Sequence, residues 1–271
     1  MTERLINLER WAELEPKIRE LTTPGYTTGI EAPGTFSHLL FRGQSSHDWF
    51  LETTLDREKP GFTLLEKYYR IAAVAKTQIE TFFPRSWQDI ILSEISKLLT
   101  EYDSFLSSSL PHYDYFVYLR HHGFPSPLLD WTRSLYIAAY FAFQHPIGKR
   151  IAIFMYQEYA GGGKLRSSKE PQLRVLGPNV RSDPRHFLQQ GEYTLCVQWD
   201  KKNWHIGSHA EVFELDRRGQ DRLWKFTLPS SEAPVVMRKL EEYNINAYTL
   251  FQSQEALLET LAQQLIRRKT Q

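Results

Sequence analysis

The chain has 271 residues, of which 41% are hydrophobic and 24% charged, with 33 lysines and arginines set against 32 aspartates and glutamates. That length suits one large domain, because single cores stop growing near ~250–300 residues, and that composition excludes wholesale disorder. A formal net charge of +1 gives no global electrostatic reason for a nucleic-acid or membrane partner, although a local basic patch can sit inside a balanced total.

The single cysteine, Cys196, cannot form an internal disulfide. The opening MTERLINLERWAELEP lacks the apolar run of a signal peptide, and no stretch approaches the ~18 uninterrupted apolar residues of a membrane helix. These features predict a cytosolic protein without a membrane partner. Cys196 lies in the strand-like YTLCVQW, which predicts a small buried core residue rather than a nucleophile. The 7 Trp, 14 Tyr and 16 Phe supply a large aromatic core and enough rings to line a concave site for a flat ligand.

Along the chain, a short helix is followed by the Pro/Gly/Thr-rich TTPGYTTGIEAPGT, and SHLLFRGQ then reads as a strand ending at Gly43. Apolar residues spaced three and four apart predict helices over Thr63 to Phe82 and Ser86 to Leu106, a helical insertion (about 63–106) after that first strand. Tyr113 to His122 reads as a short helix stopped by Gly123. An apolar helix is expected over Arg133 to Gln144, closed by HP, and then the strand RIAIFMY. Gln157 to Asp183 holds three consecutive glycines and two prolines and reads as a long loop, of the kind that serves as a lid or a target-recognition element. DPRHFLQQG predicts a helix with Asp183 at the N-cap, Pro184 at the first position and Gly191 at the stop. YTLCVQW, AEVFEL, RLWKFTL and AYTLF are strand candidates, with the helix APVVMRKLEEYNI between the last two and SQEALLETLAQQLIRR closing the chain. Mixed elements without regular alternation predict an α+β fold.

Three motifs carry polar residues of interest. In FRGQ, Arg42 ends an apolar strand, where its planar fork could grip a pyrophosphate and Gly43 would let a ligand approach the backbone; equally, Arg42 could bridge a carboxylate such as Asp130. On those four residues alone the structural role is favoured. In HHGFPSPLLDWTRS, Asp130 or Thr132 is the expected N-cap of the apolar helix, yet a cap needs one oxygen and does not explain the crowding of His121, His122, Trp131 and two prolines. An anion or sugar site at the helix start does explain it. In QQGEYT a helix turns into a strand, presenting Gln189, Gln190 and Glu192; Glu192 could polarise a ribose hydroxyl, with Glu211 and Glu214 as rival acids. Adjacent histidines without a second cluster argue against a metal site, GGGK at Gly161 to Lys164 falls short of a phosphate-binding loop, and KKNWHIG and IRRK are thin support for nucleic-acid binding.

FRGQ, HHGFPSPLLDWTRSLYIAAYFA, QQGEYT and the later NINAYTLFQSQEALLETL, in that order, resemble the FRG domain family from about Ser37 to Leu265, so that residues 1–271 form one FRG-type domain with its core at about 37–265. Ser126-Pro127 stands where a Thr-Arg pair is common, so that arginine's role is not carried over. The layout is similar to that of ADP-ribosyltransferases, which implies an α+β fold with an ADP-ribosyltransferase-like mixed sheet and NAD as substrate. On that resemblance the catalytic set is Glu192, Thr132 and Asp130, with Glu192 polarising the 2′-hydroxyl and the other two fixing the nicotinamide-side ribose. Arg42, with Gly43 and Gln44, would grip the pyrophosphate, and Trp131 or a nearby tyrosine would stack the nicotinamide. His121, His122 and Gln190 complete the cofactor-binding set. The implied activity is ADP-ribosyl transfer by a toxin or antiphage effector to a protein or nucleic acid, with an antitoxin as a further partner. The alternative is a non-catalytic module that binds a nucleotide or a partner in the same cleft, and the placement of Glu192 discriminates the two.

Overall fold

The computed structural model describes residues 4–22, 37–159, 170–181, 183–214 and 221–266. Among them one mixed sheet has eight strands: β1 (Arg4–Asn7), β2 (Leu40–Gln44), β3 (Leu128–Thr132), β4 (Arg150–Gln157), β5 (Gln172–Val175), β6 (Gly191–Asp200), β7 (Asn203–Ile206) and β8 (Arg222–Pro229). The spatial order is β1-β8-β4-β2-β3-β6-β5, with β7 also paired to β6. The β1–β8 pair is parallel and the other described pairs are antiparallel. This confirms the α+β expectation.

Pairing is dense within each half of the sheet and thin between them. β2 pairs β4 from Leu40 to Gln44, and β3 pairs β6 from Leu128 to Thr132. β2 and β3 meet only at Phe41 and Thr132. Beyond that pair the two central strands diverge.

Strand alternation distributes the core. Ile151, Ile153 and Met155 of β4 join Phe41, Trp224 and Phe226 on one face, beneath the helices α1 (Leu14–Thr22), α7 (Leu135–Phe143) and α10 (Ala233–Glu242). On the same face of the other half-sheet, Leu128, Tyr193 and Leu195 pack with Tyr68, Phe105 and Phe116 from the insertion helices α3 (Leu65–Phe82), α5 (Tyr102–Ser107) and α6 (Tyr113–His121). The intervening residues Leu40, Leu129, Trp131, Phe154 and Cys196 form a third cluster on the opposite face. The insertion also contains α2 (Thr54–Glu58) and α4 (Leu92–Leu99); α8 (Pro184–Leu188), α9 (His209–Glu214), α11 (Ala247–Phe251) and α12 (Gln254–Leu265) complete the twelve described α-helices. None of the described helices is long and apolar enough to cross a membrane.

Several expectations are corrected. LLDWT is not a helix cap but β3, a central strand; the cap of α7 is Ser134, whose hydroxyl accepts from the Ile137 amide, while Thr132 Oγ1 accepts from the Ser134 amide at 3.1 Å. The alternation of Leu129 and Trp131 with Leu128, Asp130 and Thr132 is the period-two signal that the neighbouring apolar helix obscured. AEVFEL and AYTLF are helical (α9 and α11), the latter nucleated by a capping box between Asn246 and Thr249. The helix expected from Ser86 begins at Leu92 and breaks into α4 and α5. The strands β1, β5 and β7 are short edge pieces without a sequence expectation, and β5 lies in the region read as a loop. The triple glycine with Lys164, and most of IRRK, lie outside the described residues.

Candidate functional site

The divergence of β2 from β3 opens a cavity of about 350 Å³. Had the ladder continued past Phe41 and Thr132, Gly43 would have faced Asp130. Instead Arg42 reaches across the gap: its Nη1 donates to the Asp130 carbonyl at 2.9 Å and meets Asp130 Oδ1 at 2.8 Å. Arg120, in the last turn of α6, donates from Nη2 to the same Oδ1 at 2.6 Å. The bridge to Asp130 considered from the sequence is therefore present, and it forms the floor of a cleft rather than a sealed core contact. Asp130 is deeply surrounded, yet 41% of its side chain remains open to the cleft.

The electrostatics follow from this arrangement. Burial raises the Asp130 pKa, but the charges of Arg120 and Arg42 outweigh it and hold the carboxyl below its ordinary range. Burial lowers the Arg42 pKa against the opposing pull of Asp130, whereas Asp130 is the main cause that raises Arg120. Arg57 from α2 and Arg185 from α8 also line the cavity, so it holds four arginines and one carboxylate, of which Arg42 and Arg120 contact Asp130. Arg185 Nη1 donates to the His121 carbonyl at 3.2 Å. Phe41, Trp49, Phe141, Tyr193 and Phe251 supply aromatic walls.

His121 lines the cavity and shares a 2.6 Å hydrogen bond between its Nε2 and the Tyr193 hydroxyl. Burial pushes its pKa down to about 4, so the imidazole is neutral near pH 7, and burial likewise raises the Tyr193 phenol. Gln44 is buried, donates from Nε2 to the Phe50 carbonyl at 3.1 Å, and keeps Oε1 without a partner.

Gly43 lines the cavity and also has a packing role that the sequence did not suggest. A Cβ there would lie 1.9 Å from the Ala138 carbonyl oxygen and 2.8 Å from the Ala142 amide. The glycine permits α7 to sit directly on β2, and that contact sets the cleft wall carrying Phe141.

The cleft thus unites Arg42, Gly43, Gln44, His121, Asp130, Trp131 and Thr132 of the expected residues. Trp131 borders it, but its ring is 3% exposed, packs on Tyr156 and donates from Nε1 to Thr194 Oγ1, so it belongs to the opposite-face core. Of the other three, His122 lies 3.5 Å from Asp183, and Gln190 sits exposed at the turn after α8. Neither lines the cavity. Glu192 pairs in register with Trp131, on the face opposite Asp130 and Thr132. It is 1% exposed, with Oε1 at 2.7 Å from His38 Nε2 and 3.6 Å from Arg133 Nε, and Oε2 without a partner. Glu192 is not part of the cavity lining. Glu211 is exposed on α9, and the side chain of Glu214 lies outside the described residues.

Sequence reasoning missed Arg57, Arg120, Arg185, Trp49, Phe141 and Phe251. Arg120 stood directly before the histidine pair, a usable signal; Arg57 is on a five-residue helix with nothing local to mark it. Cys196 is buried, as expected, with Sγ donating to the Ser208 carbonyl. A family model, the FRG domain, matches residues 37–150, which run from just before β2 to the first residue of β4 and include both diverging strands and the insertion helices. No curated protein and no solved structure matches the chain.

Proposed function

We propose that this chain, whose residues 37–150 match the FRG domain family, uses its cleft to bind a phosphate-bearing nucleotide, with NAD the first ligand to test. The observation that carries the reading is the convergence of Arg42, Arg57, Arg120 and Arg185 on a cavity with aromatic walls and a single carboxylate. Guanidinium forks match phosphate oxygens bidentately, and aromatic faces accept a base or a nicotinamide ring. The cavity volume of about 350 Å³ lies in the usual range for small-molecule sites. The role assigned is recognition without turnover, because Glu192 stands on the other face of β6 from the Asp130 and Thr132 side chains.

One observation favours a second reading, ADP-ribosyl transfer. Glu192 Oε2 is buried without a partner while Oε1 is held by His38, so the carboxylate is positioned but incompletely used. In that reaction the bond between nicotinamide and the ribose C1 breaks, the bonding pair leaves with nicotinamide, and an acceptor oxygen or nitrogen on a protein or nucleic acid bonds to C1 and gives up its proton. Glu192 would stabilise the cationic sugar by its field.

Calorimetric titration of NAD at low and high salt, with nicotinamide release followed in the presence and absence of cell protein and nucleic acid, separates the two. Salt-sensitive binding without release supports the recognition module. Release that labels the added protein or nucleic acid with ADP-ribose and that Glu192→Gln abolishes establishes transfer, whereas release without a labelled acceptor is hydrolysis with water as the acceptor. If neither NAD nor pyrophosphate binds at low salt, the nucleotide reading fails.

A further inference from the structure

We infer that the outer face of α12 is a self-association surface, on which a second copy of this chain docks its own α12 in antiparallel orientation. The inference is independent of the nucleotide reading and concerns a different part of the molecule.

The rotation of the helix carries it. An amphipathic helix ordinarily turns its large apolar residues toward the fold, and α12 does the reverse. Leu258 and Leu265 are 60% and 59% exposed, and Leu257 and Leu261 are 38% and 37% exposed. The residues it buries are Ala256 and Thr260. Hydrogen bonds hold that rotation: Thr260 Oγ1 accepts from the Tyr248 amide at 3.0 Å and donates to the Ala256 carbonyl at 2.9 Å, and Gln264 Nε2 donates to Glu241 Oε1 at 2.6 Å. Leu258, Leu261 and Leu265 recur at spacings of three and four, with Leu257 alongside, and so form one stripe along the helix. A lone exposed leucine is ordinary, whereas four in line on a helix whose inner face is small and polar mark a contact surface.

Charge names the occupant. Glu255 and Glu259 stand in the first half of α12, and Arg267, Arg268 and Lys269 follow it in the sequence. Acids therefore mark one end of the leucine stripe and bases the other. A second copy crossing antiparallel about a two-fold axis at Leu261 sets each Leu257 against a Leu265 and brings each Glu255 to the level of Arg267 in the other copy. The surface is self-complementary under that symmetry, while a parallel pair would place acid on acid and base on base. An anionic bilayer is a poorer occupant, because α12 itself carries two acids and no lysine or arginine, where a membrane-surface helix carries cations along its polar face. Twelve residues rise only about 18 Å. Such a pair falls short of the ~1,200–2,000 Å² of a standard interface, so the association is reversible and in the micromolar range.

The test is sedimentation of the full chain from about 1 to about 200 μM, at low and high salt. The mass is expected to rise with concentration from 31.9 kDa toward twice that value. Leu258→Glu should weaken association about 10-fold or more, since the two-fold places the charge in the interface twice. Its urea midpoint at low concentration should stay that of the wild type, because the position is exposed. Glu255→Arg should weaken association about 5-fold at low salt, and adding Arg267→Glu and Arg268→Glu to it should restore the wild-type value. A monomer throughout the range overturns the inference, as does a dimer that Leu258→Glu leaves intact or a triple variant that restores nothing. A chain that stays monomeric but sediments with vesicles of phosphatidylcholine and phosphatidylserine assigns the stripe to a lipid surface and overturns it too. If Leu258→Glu does not fold, the wild-type mass and the charge reversals decide.

Discussion

Replacing Gly43 with alanine isolates the contact between β2 and α7. The added Cβ would stand 1.9 Å from the Ala138 oxygen, 2.8 Å from the Ala142 nitrogen and 2.9 Å from the Ala138 carbonyl carbon. All three are backbone atoms, so no rotamer change can absorb the clash. Ordinary contact begins at 3.4 Å, so α7 must withdraw from the strand by about 1.5 Å along the worst direction. That displacement loosens Ile137, Ala138, Tyr140, Ala142 and Phe143, all buried in one core cluster. Overpacking typically costs ~1–3 kcal/mol, and the upper end applies where backbone meets backbone. A loss of ~3 kcal/mol corresponds to a drop of roughly 6–12 °C in Tm for a chain of this size. Urea unfolding should show a lower midpoint with an unchanged slope. Gly43 does not have a positive φ, so without the clash alanine would stabilise by ~0.4–1 kcal/mol through the unfolded state. The two accounts therefore differ in sign. A loss below ~1 kcal/mol, or any gain, would refute the assignment of this glycine to helix packing.

Ser134→Ala should cost ~1 kcal/mol by removing the α7 cap, measured by urea unfolding, whereas capping by Asp130 would have left it nearly silent. Arg57→Ala, at an exposed cleft residue, should weaken NAD binding by about 10-fold and flatten its salt dependence while leaving Tm within about 1 °C. Burial lowers His121 to about 4 and His209 to about 3 from an ordinary 6.5. A histidine with a depressed folded pKa stays neutral in the native state while the unfolded chain takes up its proton first. Stability is therefore full above about pH 6.5 and declines as the pH falls toward 4, by up to ~1.4 kcal/mol per pH unit for each group. Equal urea midpoints at pH 7 and pH 5 would contradict this.

The parts of the fold that were legible in the sequence are those with long or well-capped patterns. RIAIFMY and YTLCVQW read as buried strands because their apolar runs are continuous, and DPRHFLQQG declared its helix through Asp183 and Pro184. AEVFEL and AYTLF were ambiguous because five or six residues fit either period, and only contacts made far along the chain decide between them. At the site, FRGQ and LLDWT identified the two strands, and the candidate bridge from Arg42 to Asp130 exists. The side on which Glu192 lies follows from its pairing with Trp131, a register fixed by tertiary structure and invisible before LLDWT is known to be a strand. Arg57 and Arg185 arrive from separate short helices, which no local motif announces.

The single pair joining Phe41 to Thr132 also has a mechanical meaning. On one face each half-sheet has its own hydrophobic cluster and helical cover, while on the other Leu40, Phe154 and Tyr156 pack with Leu129 and Trp131 in a cluster that spans both halves, so behind the cleft the halves are joined by side-chain packing more than by strand pairing, with Arg42 as a tether across the gap. A molecule lodged between β2 and β3 would supply, inside the cleft, the bridging that the strand pairs missing beyond Phe41 and Thr132 leave out.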